Sequence, residues 1–393
     1  MIFNTIAYYF LFLIPAAILF RLCKGEWRSW ICVFFGVGFF VYFSVTQLGG
    51  WWGAACIGIF IWESAFRALY KPGSWLCFVG VFVSLAVLVA FKYWNFLTGL
   101  ATSMLEENLL RWDSAFLPLG VSFFTFEFIH YAVDRYNDKV ERGTIAEYLA
   151  FIFFFPTMVA GPIKKFQDFV PYLRKPSTDW ASDWNRGLTR ILTGLVKKFA
   201  VADLLTSLSD HLNQSDIVQA DRWVLILWLF AYGWKIYFDF SAYSDIAIGS
   251  GRLFGVSIPE NFDWPYTRTN IVDFWRHWHM SLYKWLLDYI FIPLGGSRGS
   301  IALAFRNIII VMLVSGIWHG AGLNFIVWGL WHGCLLIVHR LWTIYQQDKI
   351  LAPGIAQKLF GWLLTYVSVN IGWAFFAMDL NTALLFYRRI LMG

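Results

Sequence analysis

The chain has 393 residues, of which 59% are hydrophobic, 21% aromatic and only 14% charged. Soluble domains carry about a quarter charged residues, so this composition excludes a soluble globular domain. The mean hydropathy of +0.57 agrees with that exclusion. Several apolar runs approach the roughly 20 residues that cross a bilayer, and together they predict an all-α polytopic membrane protein.

The apolar runs predict about ten or eleven membrane crossings, with re-entrant or amphipathic helices where Gly, Pro and His interrupt the pattern. The first run follows Met1–Thr5, which carries no Lys or Arg, so a retained helix is expected there rather than a signal peptide. In chain order the runs are Ile2–Phe20, Ile31–Phe43, Trp51–Phe66, Trp75–Phe91, Leu117–Val133, Tyr148–Ile163, Trp223–Ser241, Asn307–Trp342 and Phe360–Met378.

The longest polar segment, Lys164–Lys198, carries eight cations and three acids and so holds most of the net charge of +6. Positive loops stay on the cytoplasmic side, so this segment is predicted to face the cytosol. Two interpretations stay open: a topology signal that also attracts anionic lipid headgroups, or a docking face for an acidic carrier protein or a nucleotide-bearing donor. Nucleic acid is not an expected partner, because the basic residues border apolar spans and form no separate domain.

The five cysteines lack any Cys-x-x-Cys spacing and lie in or beside apolar runs. This pattern predicts packing residues, and neither a disulfide framework nor a metal site.

Polar side chains interrupt the stretch YFDFSAYSDIAIG, including Asp239, Tyr243 and Asp245. Charged groups at membrane depth are costly. On a helix Asp239 and Tyr243 share a face, whereas Asp239 and Asp245 point to different faces and cannot be a carboxylate pair on one substrate. Either these groups hydrogen-bond neighbouring helices, or at least one acid lines a water-filled cavity.

The stretch FWRHWHMSLYKWLLDYIFIPLGG, residues Phe274–Gly296, predicts one amphipathic helix at the interface or dipping into the protein. His279 and Tyr283 fall on its aromatic and apolar stripe, so His279 is expected to face inward. His277 is expected to face solvent.

Two Trp-His-Gly triplets lie in SGIWHGAGLNFIVWGLWHG, residues 315–333. Twelve uncharged residues, Asn307–Trp318, precede His319, which places it about 18 Å along a helix and predicts a position in the middle of the bilayer. The glycines at Gly320–Gly322 loosen the chain there, and irregular backbone at that depth needs burial or a water-filled cavity. His319 is therefore a candidate site residue, whereas His332 lies in a smoother helix and is predicted to pack.

Four stretches, in order over most of the chain from about Leu117 to Gly333, resemble the membrane-bound O-acyltransferase (MBOAT) family. Within it they resemble the bacterial alginate O-acetylation and D-alanyl-transfer (AlgI/DltB) branch. The stretches are PLGVSFFTFEFIHYAVDRYN, FFFPTMVAGPIKKF, YFDFSAYSDIAIGSGRLFGVSIPENFDWPYTRTNIVDFWRHWHMSLYKWLLDYIFIPLGGSR and the double Trp-His-Gly stretch.

The resemblance implies one membrane domain over residues 1–393, with N-terminal helices at 1–116, a catalytic core at 117–345 and C-terminal helices at 346–393. It implies a ring of tilted helices around a central tunnel that joins cytosol and exterior. The family's essential histidine falls on His319, and its second near-invariant histidine on His279. Candidates to bind substrate or line the tunnel are Asp239, Tyr243, Asp245, Tyr283, Trp318 and Asn324.

Two positions depart from the family pattern. Leu287 stands where an arginine is common, and His277 stands where a second arginine is usual. These departures bear on the donor and the acceptor rather than on the fold.

The implied activity moves an activated acyl group, acetyl above all, from a cytosolic thioester to a hydroxyl of an extracytoplasmic or exported polysaccharide. The donor would be acetyl-CoA or the phosphopantetheine of a carrier protein, with no bound cofactor or metal, and transfer would be direct or through a partner acetyltransferase. Histidine suits the task of a general base because its pKa lies near working pH. The expected location is a bacterial cytoplasmic membrane. D-alanyl transfer to teichoic acid is the alternative reaction, and a transporter or a silent scaffold is the alternative class.

Overall fold

The computed structural model describes residues 2–48, 59, 62–105, 119–346 and 354–392. These residues form helices and no strand, with one isolated antiparallel bridge between Phe262 and Trp278. The α-helices are Ile14–Leu22, Trp27–Leu48, Leu76–Leu88, Trp94–Leu105, Val121–Tyr136, Ile145–Ile152, Phe155–Met158, Phe166–Arg174, Trp180–Val196, Asp203–Ser209, Gln214–Gln219, Arg222–Phe254, Ile271–His277, Met280–Leu286, Ile301–His319, Leu323–Gln346, Ile355–Ala377 and Leu380–Met392. The π-helical turns are Tyr8–Leu13, Val89–Tyr93, Lys197–Ala202 and Leu287–Phe291.

Six of the described helices are long and apolar enough to cross a membrane, which confirms the predicted all-helical, multi-pass membrane fold. The count of about ten or eleven crossings stays a prediction, and most of the predicted run Trp51–Phe66 lies outside the described residues. The six helices are Trp27–Ser44, Leu76–Met104, Arg222–Phe254, Ile301–His319, Leu323–Gln346 and Ile355–Ala377.

The predicted apolar run Tyr148–Ile163 does not form a single helix. The helix begins at Ile145 with a capping box between Thr144 and Glu147, and it ends at Ile152. A four-residue helix, Phe155–Met158, follows and contains Pro156. Proline has no N–H with which to continue the helical ladder, so the run breaks into two short pieces.

The described residues form two compact units. One unit comprises Met1–Leu195 with Tyr243–Pro259, and the other comprises Val196–Ala242 with Glu260–Gly393. The helix Arg222–Phe254 contributes residues to both units. The predicted boundaries after residues 116 and 345, between the N-terminal helices, the catalytic core and the C-terminal helices, stay predictions.

The first unit packs around aromatic rings. The rings of Phe3 and Tyr243 lie edge to face at 4.5 Å, and those of Phe3 and Tyr8 at 4.7 Å. Edge-to-face pairs add stabilisation beyond the area that they bury. Tyr8 donates a hydrogen bond of 2.9 Å to Ser250, so the one polar atom of its ring is satisfied inside the core.

Several cations of the basic segment Lys164–Lys198 bind acids inside the protein. Lys164 is buried and pairs with Glu127. Arg174 Nε lies 2.6 Å from a Glu147 carboxylate oxygen. A cation that is paired with an acid of the same protein is less available to a binding partner. These ion pairs therefore leave fewer cations of the segment free to bind an acidic carrier protein.

The second unit contains a hairpin of two long helices, Ile301–His319 and Leu323–Gln346, as the length of the predicted run Asn307–Trp342 had indicated. Glycines let the two backbones approach closely. A Cβ at Gly329 would lie 2.5 Å from the Met312 carbonyl oxygen, and a Cβ at Gly316 would collide with the Phe325 carbonyl oxygen. The hairpin therefore depends on small residues at its interface.

Candidate active site

His279 lies at a break in the predicted amphipathic helix. The prediction of one helix over Phe274–Gly296 is wrong, because Ile271–His277 and Met280–Leu286 are separate helices and Leu287–Phe291 is a π-helical turn. His279 itself has a φ of +45°, in the left-handed region that a non-glycine residue rarely adopts.

Backbone pairing with a distant segment causes the break. Phe262 forms the antiparallel bridge with Trp278. The Asp263 N–H donates to the His277 carbonyl at 3.1 Å, and the Met280 N–H donates to the Asn261 carbonyl at 2.9 Å. These bonds hold residues 277–280 in a turn, so the helical periodicity of the sequence cannot be realised across it.

The His279 side chain is buried, with 2% exposure, which confirms that it faces inward. Its Nδ1 lies 3.2 Å from Asn261 Oδ1. The rings of Phe240 and Trp318 lie 4.6 Å and 6.2 Å from the imidazole. Burial lowers the pKa of His279 to about 3, so the imidazole is neutral at physiological pH.

His319 ends its helix at the tip of the hairpin. The helix begins at Ile301, so His319 lies about 27 Å along it and not near its middle. Its depth in the bilayer stays a prediction. The imidazole is half-buried, and Trp318 lies next to it with a ring distance of 4.7 Å. Because Trp318 contacts both imidazoles, the structure brings His319 and His279 to one region of the second unit.

Two further aromatic rings contact His319. Trp328 lies 5.2 Å from the imidazole and Phe376 lies 4.9 Å from it, both edge to face. Phe376 comes from the helix Ile355–Ala377, so three helices contribute to the surroundings of His319. These contacts restrict the directions from which a substrate can reach the ring.

The glycines after His319 pack closely against side chains of the second helix of the hairpin. A Cβ at Gly320 would overlap the Phe325 ring, and a Cβ at Gly322 would overlap the Asn324 side-chain oxygen. The Phe325 ring therefore fills the space that a side chain at Gly320 would need.

Asn324 lies in the hairpin that carries His319, and Tyr283 lies in the helix that follows His279. Asn324 is buried, and its amide donates to the Phe375 carbonyl at 2.9 Å, which ties the hairpin tip to the helix that carries Phe376. The backbone N–H of Tyr283 donates to the His279 carbonyl at 3.0 Å. Tyr283 thus belongs to the helix that follows the His279 turn.

Three candidate site residues on the long helix Arg222–Phe254 have partners that the sequence pattern did not indicate. Asp239 pairs with Lys198 at 2.9 Å in the second unit. In the first unit, Arg190 Nε lies 2.6 Å from buried Asp245, and the Tyr243 hydroxyl accepts a hydrogen bond from Ala160 N–H at 3.1 Å. The assignment of these residues to a tunnel stays a prediction.

His332 is fully buried among aromatic rings, and its role as a packing residue stays a prediction. Its ring lies 5.0 Å from Trp275 and 4.9 Å from Trp328. A Cβ at Gly372 would lie 2.7 Å from its Nε2. Among the residues that the structure describes, neither ring nitrogen has a hydrogen-bond partner.

Sequence reasoning missed Asn261, Phe240 and Phe376 as neighbours of the two histidines. Asn261 and Phe240 lie inside the longest of the stretches that carry the family resemblance. Phe376 is 57 residues beyond His319 in an ordinary apolar helix, and no local signal could have indicated its position.

Comparison with known proteins agrees with this site. The model of the MBOAT, membrane-bound O-acyltransferase family matches residues 59–370, which include both histidines. The chain is 35% identical to the probable alginate O-acetylase AlgI of Azotobacter vinelandii, over 96% of this chain and 75% of that protein. It is 33% identical to the peptidoglycan O-acetyltransferase of Helicobacter pylori, over 79% of this chain and 63% of that protein.

A more distant relative is the teichoic acid D-alanyltransferase of Bacillus subtilis, which is 28% identical over 72% of this chain and 73% of that protein. The match of the family model covers more than half of the chain, and the alginate relatives cover nearly all of it. Neither a transporter nor a silent scaffold accounts for these similarities. The chain therefore belongs to the membrane-bound O-acyltransferase family, and it is an O-acyltransferase.

Proposed function

We propose that this enzyme transfers an acetyl group from a cytosolic thioester to a hydroxyl of an extracytoplasmic cell-envelope polysaccharide, directly or through a partner acetyltransferase. The observation that carries the proposal is the pair of histidines, His279 and His319, which both contact the ring of Trp318. One imidazole is buried and neutral, and the other is half-buried and can meet a substrate.

In the proposed reaction His319 acts as the general base. It removes the proton of the acceptor hydroxyl as that oxygen attacks the thioester carbonyl carbon. The tetrahedral intermediate then expels the thiolate, and the imidazolium returns the proton to the sulfur. One ester bond forms, one thioester bond breaks, and no proton is gained or lost overall.

The crowding of His319 supports a short acyl group. Reacting atoms lie about 3–3.5 Å apart in a productive complex, so the acyl substituent must lie beside the rings that contact the base. Three of these rings, those of Trp318, Trp328 and Phe376, lie within 5.2 Å of the imidazole. We therefore favour an acetyl group, which needs less space beside these rings than a fatty acyl chain.

The relatives support acetyl transfer over D-alanyl transfer. Those named for alginate or peptidoglycan O-acetylation are 33–36% identical to this chain. Those named for D-alanyl transfer to teichoic acid are 25–28% identical. We propose acetyl-CoA or an acetylated carrier protein as the donor, and the cytoplasmic membrane of a bacterium as the location.

Mass spectrometry of envelope polysaccharides tests the substrate directly. The comparison is between wild-type cells and cells that lack this gene. We expect the loss of polysaccharide O-acetyl groups in the deletion strain and their return with the plasmid-borne gene. Unchanged O-acetylation with a loss of D-alanyl esters would replace the proposal with the alternative reaction.

A further inference from the structure

The carboxamide of Asn261 has a defined orientation. Its Oδ1 accepts two hydrogen bonds from Ser281, one from the backbone N–H at 3.3 Å and one from the hydroxyl at 2.7 Å. A backbone N–H can only donate, so the carboxamide atom that faces it must be the oxygen.

This orientation determines the tautomer of His279. The same Oδ1 lies 3.2 Å from His279 Nδ1. A carboxamide oxygen only accepts hydrogen bonds, so Nδ1 must carry the hydrogen. A neutral imidazole has one N–H, and Nε2 therefore presents a lone pair.

The Nε2 atom is buried, and among the described parts of the chain it has no hydrogen-bond partner. The rings of Phe240 and Trp318 that lie near the imidazole leave a buried acceptor without a donor on the protein side. A buried acceptor in this state is costly unless another molecule supplies a donor. The donors that the reactants of an acyl transfer supply are the O–H of the acceptor, the N–H groups of the thioester carrier and the S–H of the released thiol.

The backbone also fixes this geometry. His279 keeps its φ of +45° because Met280 is bonded to the Asn261 carbonyl on one side and Phe262 pairs with Trp278 on the other. Sparsely populated backbone conformations persist where the surroundings determine them, and they concentrate at functional sites. Asn261 thus holds both the backbone and the side chain of the His279 turn.

We propose that Asn261 is a positioning residue that holds His279 in the Nδ1–H tautomer, so that Nε2 accepts a hydrogen bond from an O–H, N–H or S–H group of the bound substrate. This inference rests on the proposed function for the identity of the substrate. In this tautomer His279 accepts a hydrogen bond through Nε2 and cannot donate one through the same atom.

Nitrogen-15 NMR of the full-length protein in lipid nanodiscs tests the tautomer without any substitution. The protein is labelled at its 7 histidines, and the His279 signals are assigned from their loss in His279→Gln. We expect a protonated Nδ1 and a non-protonated Nε2 in the wild type. A hydrogen on Nε2 would overturn the inference.

Two variants separate tautomer selection from general support of the turn. Asn261→Leu removes the acceptor and should let the Nε2–H form appear, whereas Ser281→Ala removes one bond to the same oxygen and should leave the tautomer unchanged. An unchanged tautomer in folded Asn261→Leu would contradict the proposal.

Kinetics with acetyl-CoA and a soluble oligosaccharide acceptor give the second readout. We expect Asn261→Leu to lose about 10-fold or more in kcat, because a small misplacement of a group that contacts the reactants slows the reaction. Ser281→Ala leaves the Asn261 oxygen in place beside His279 and should remain within a fewfold of the wild type. Equal losses in both variants would overturn the proposal. A wild-type enzyme with the expected tautomer but no acetyl transfer would instead refute the proposed function.

Discussion

Two histidines of the same Trp-His-Gly pattern occupy different environments. His319 is half-buried at the tip of the hairpin. His332 lies on the next helix, where it is fully buried and contacts the rings of Trp275 and Trp328. A general base must reach the proton that it abstracts, so accessibility decides between them. The sequence indicated the same choice from the glycines next to His319, although the structure gives those glycines a packing function.

Phe376 should limit the length of the acyl group. We expect Phe376→Ala to increase the ratio of hexanoyl to acetyl transfer by about 10-fold or more, because each methylene that a pocket accommodates is worth about 1–3 kcal/mol. The measurement compares kcat/KM for acetyl and hexanoyl thioesters.

Phe375→Ala provides the matched control, since the Phe375 ring packs against Tyr387 at 5.3 Å. Its hexanoyl-to-acetyl ratio should equal that of the wild type. A ratio that rises equally in both variants would show that loosening of the helix, and not space beside His319, admits the longer chain.

Asp239 and Asp245 should differ in their effect on stability. Asp245 is buried and paired with Arg190, so Asp245→Asn should destabilise the protein by about 1–3 kcal/mol and reduce its yield. Asp239 is half-buried, and Lys198 keeps a second acid, Asp203, at 2.7 Å. Asp239→Asn should therefore give nearly wild-type yield.

Thermal unfolding of the two purified variants in the same detergent measures the difference. Equal melting temperatures for Asp239→Asn and Asp245→Asn would show that the burial of Asp245 does not determine how much this residue stabilises the protein.

At the scale of elements, the hairpin Ile301–His319 and Leu323–Gln346 depends on the absence of side chains at its crossing. Gly329→Ala should cost about 1–3 kcal/mol of stability, because its Cβ would lie 2.5 Å from the Met312 carbonyl oxygen and backbone cannot move aside cheaply. Folded yield by size-exclusion chromatography measures the effect.

Gly354→Ala is the matched substitution, since no atom of the described, non-adjacent residues lies within 4 Å of its Cβ position. It should fold like the wild type. A normal yield and melting temperature for Gly329→Ala would contradict the close-packing account of the hairpin.

Apolar periodicity predicted some elements well and failed at others for identifiable reasons. The long run Asn307–Trp342 became two helices at the predicted glycines. The run Tyr148–Ile163 breaks near Pro156, in line with the expected interruptions at proline. The helix Phe274–Gly296 breaks because Asn261–Asp263 pairs with it, and a contact of that kind is invisible to a local pattern.

The site was predictable to a similar extent. His279 and His319 stand in recognisable stretches, whereas Phe376 reaches His319 only through the packing of the helix Ile355–Ala377. Asn261 lies in a quoted stretch, but its hydrogen bond to His279 requires the turn to be formed.

At the scale of the whole molecule, the basic segment Lys164–Lys198 is predicted to be cytosolic. At least four of its eight cations bind acids within the protein, and the remaining charge still favours the cytoplasmic side. Exposed Thr178 replaced by Cys should react with an impermeant thiol reagent only after the cells are opened. Labelling above the wild-type background in intact cells would reverse the topology.

The central claim is that His319 is the base of an acyl transfer reaction. The most direct measurement is the rate of acetyl transfer by purified enzyme in proteoliposomes, with the same substitution at both histidines, His319→Gln and His332→Gln. Loss of a general base costs about 10²–10⁴-fold, so His319→Gln should fall by at least about 10²-fold in kcat while remaining folded. His332→Gln should stay within about 10-fold of the wild type, because it alters packing alone. A His319→Gln enzyme within a fewfold of the wild type, or a folded His332→Gln enzyme that is equally inactive, would contradict the account.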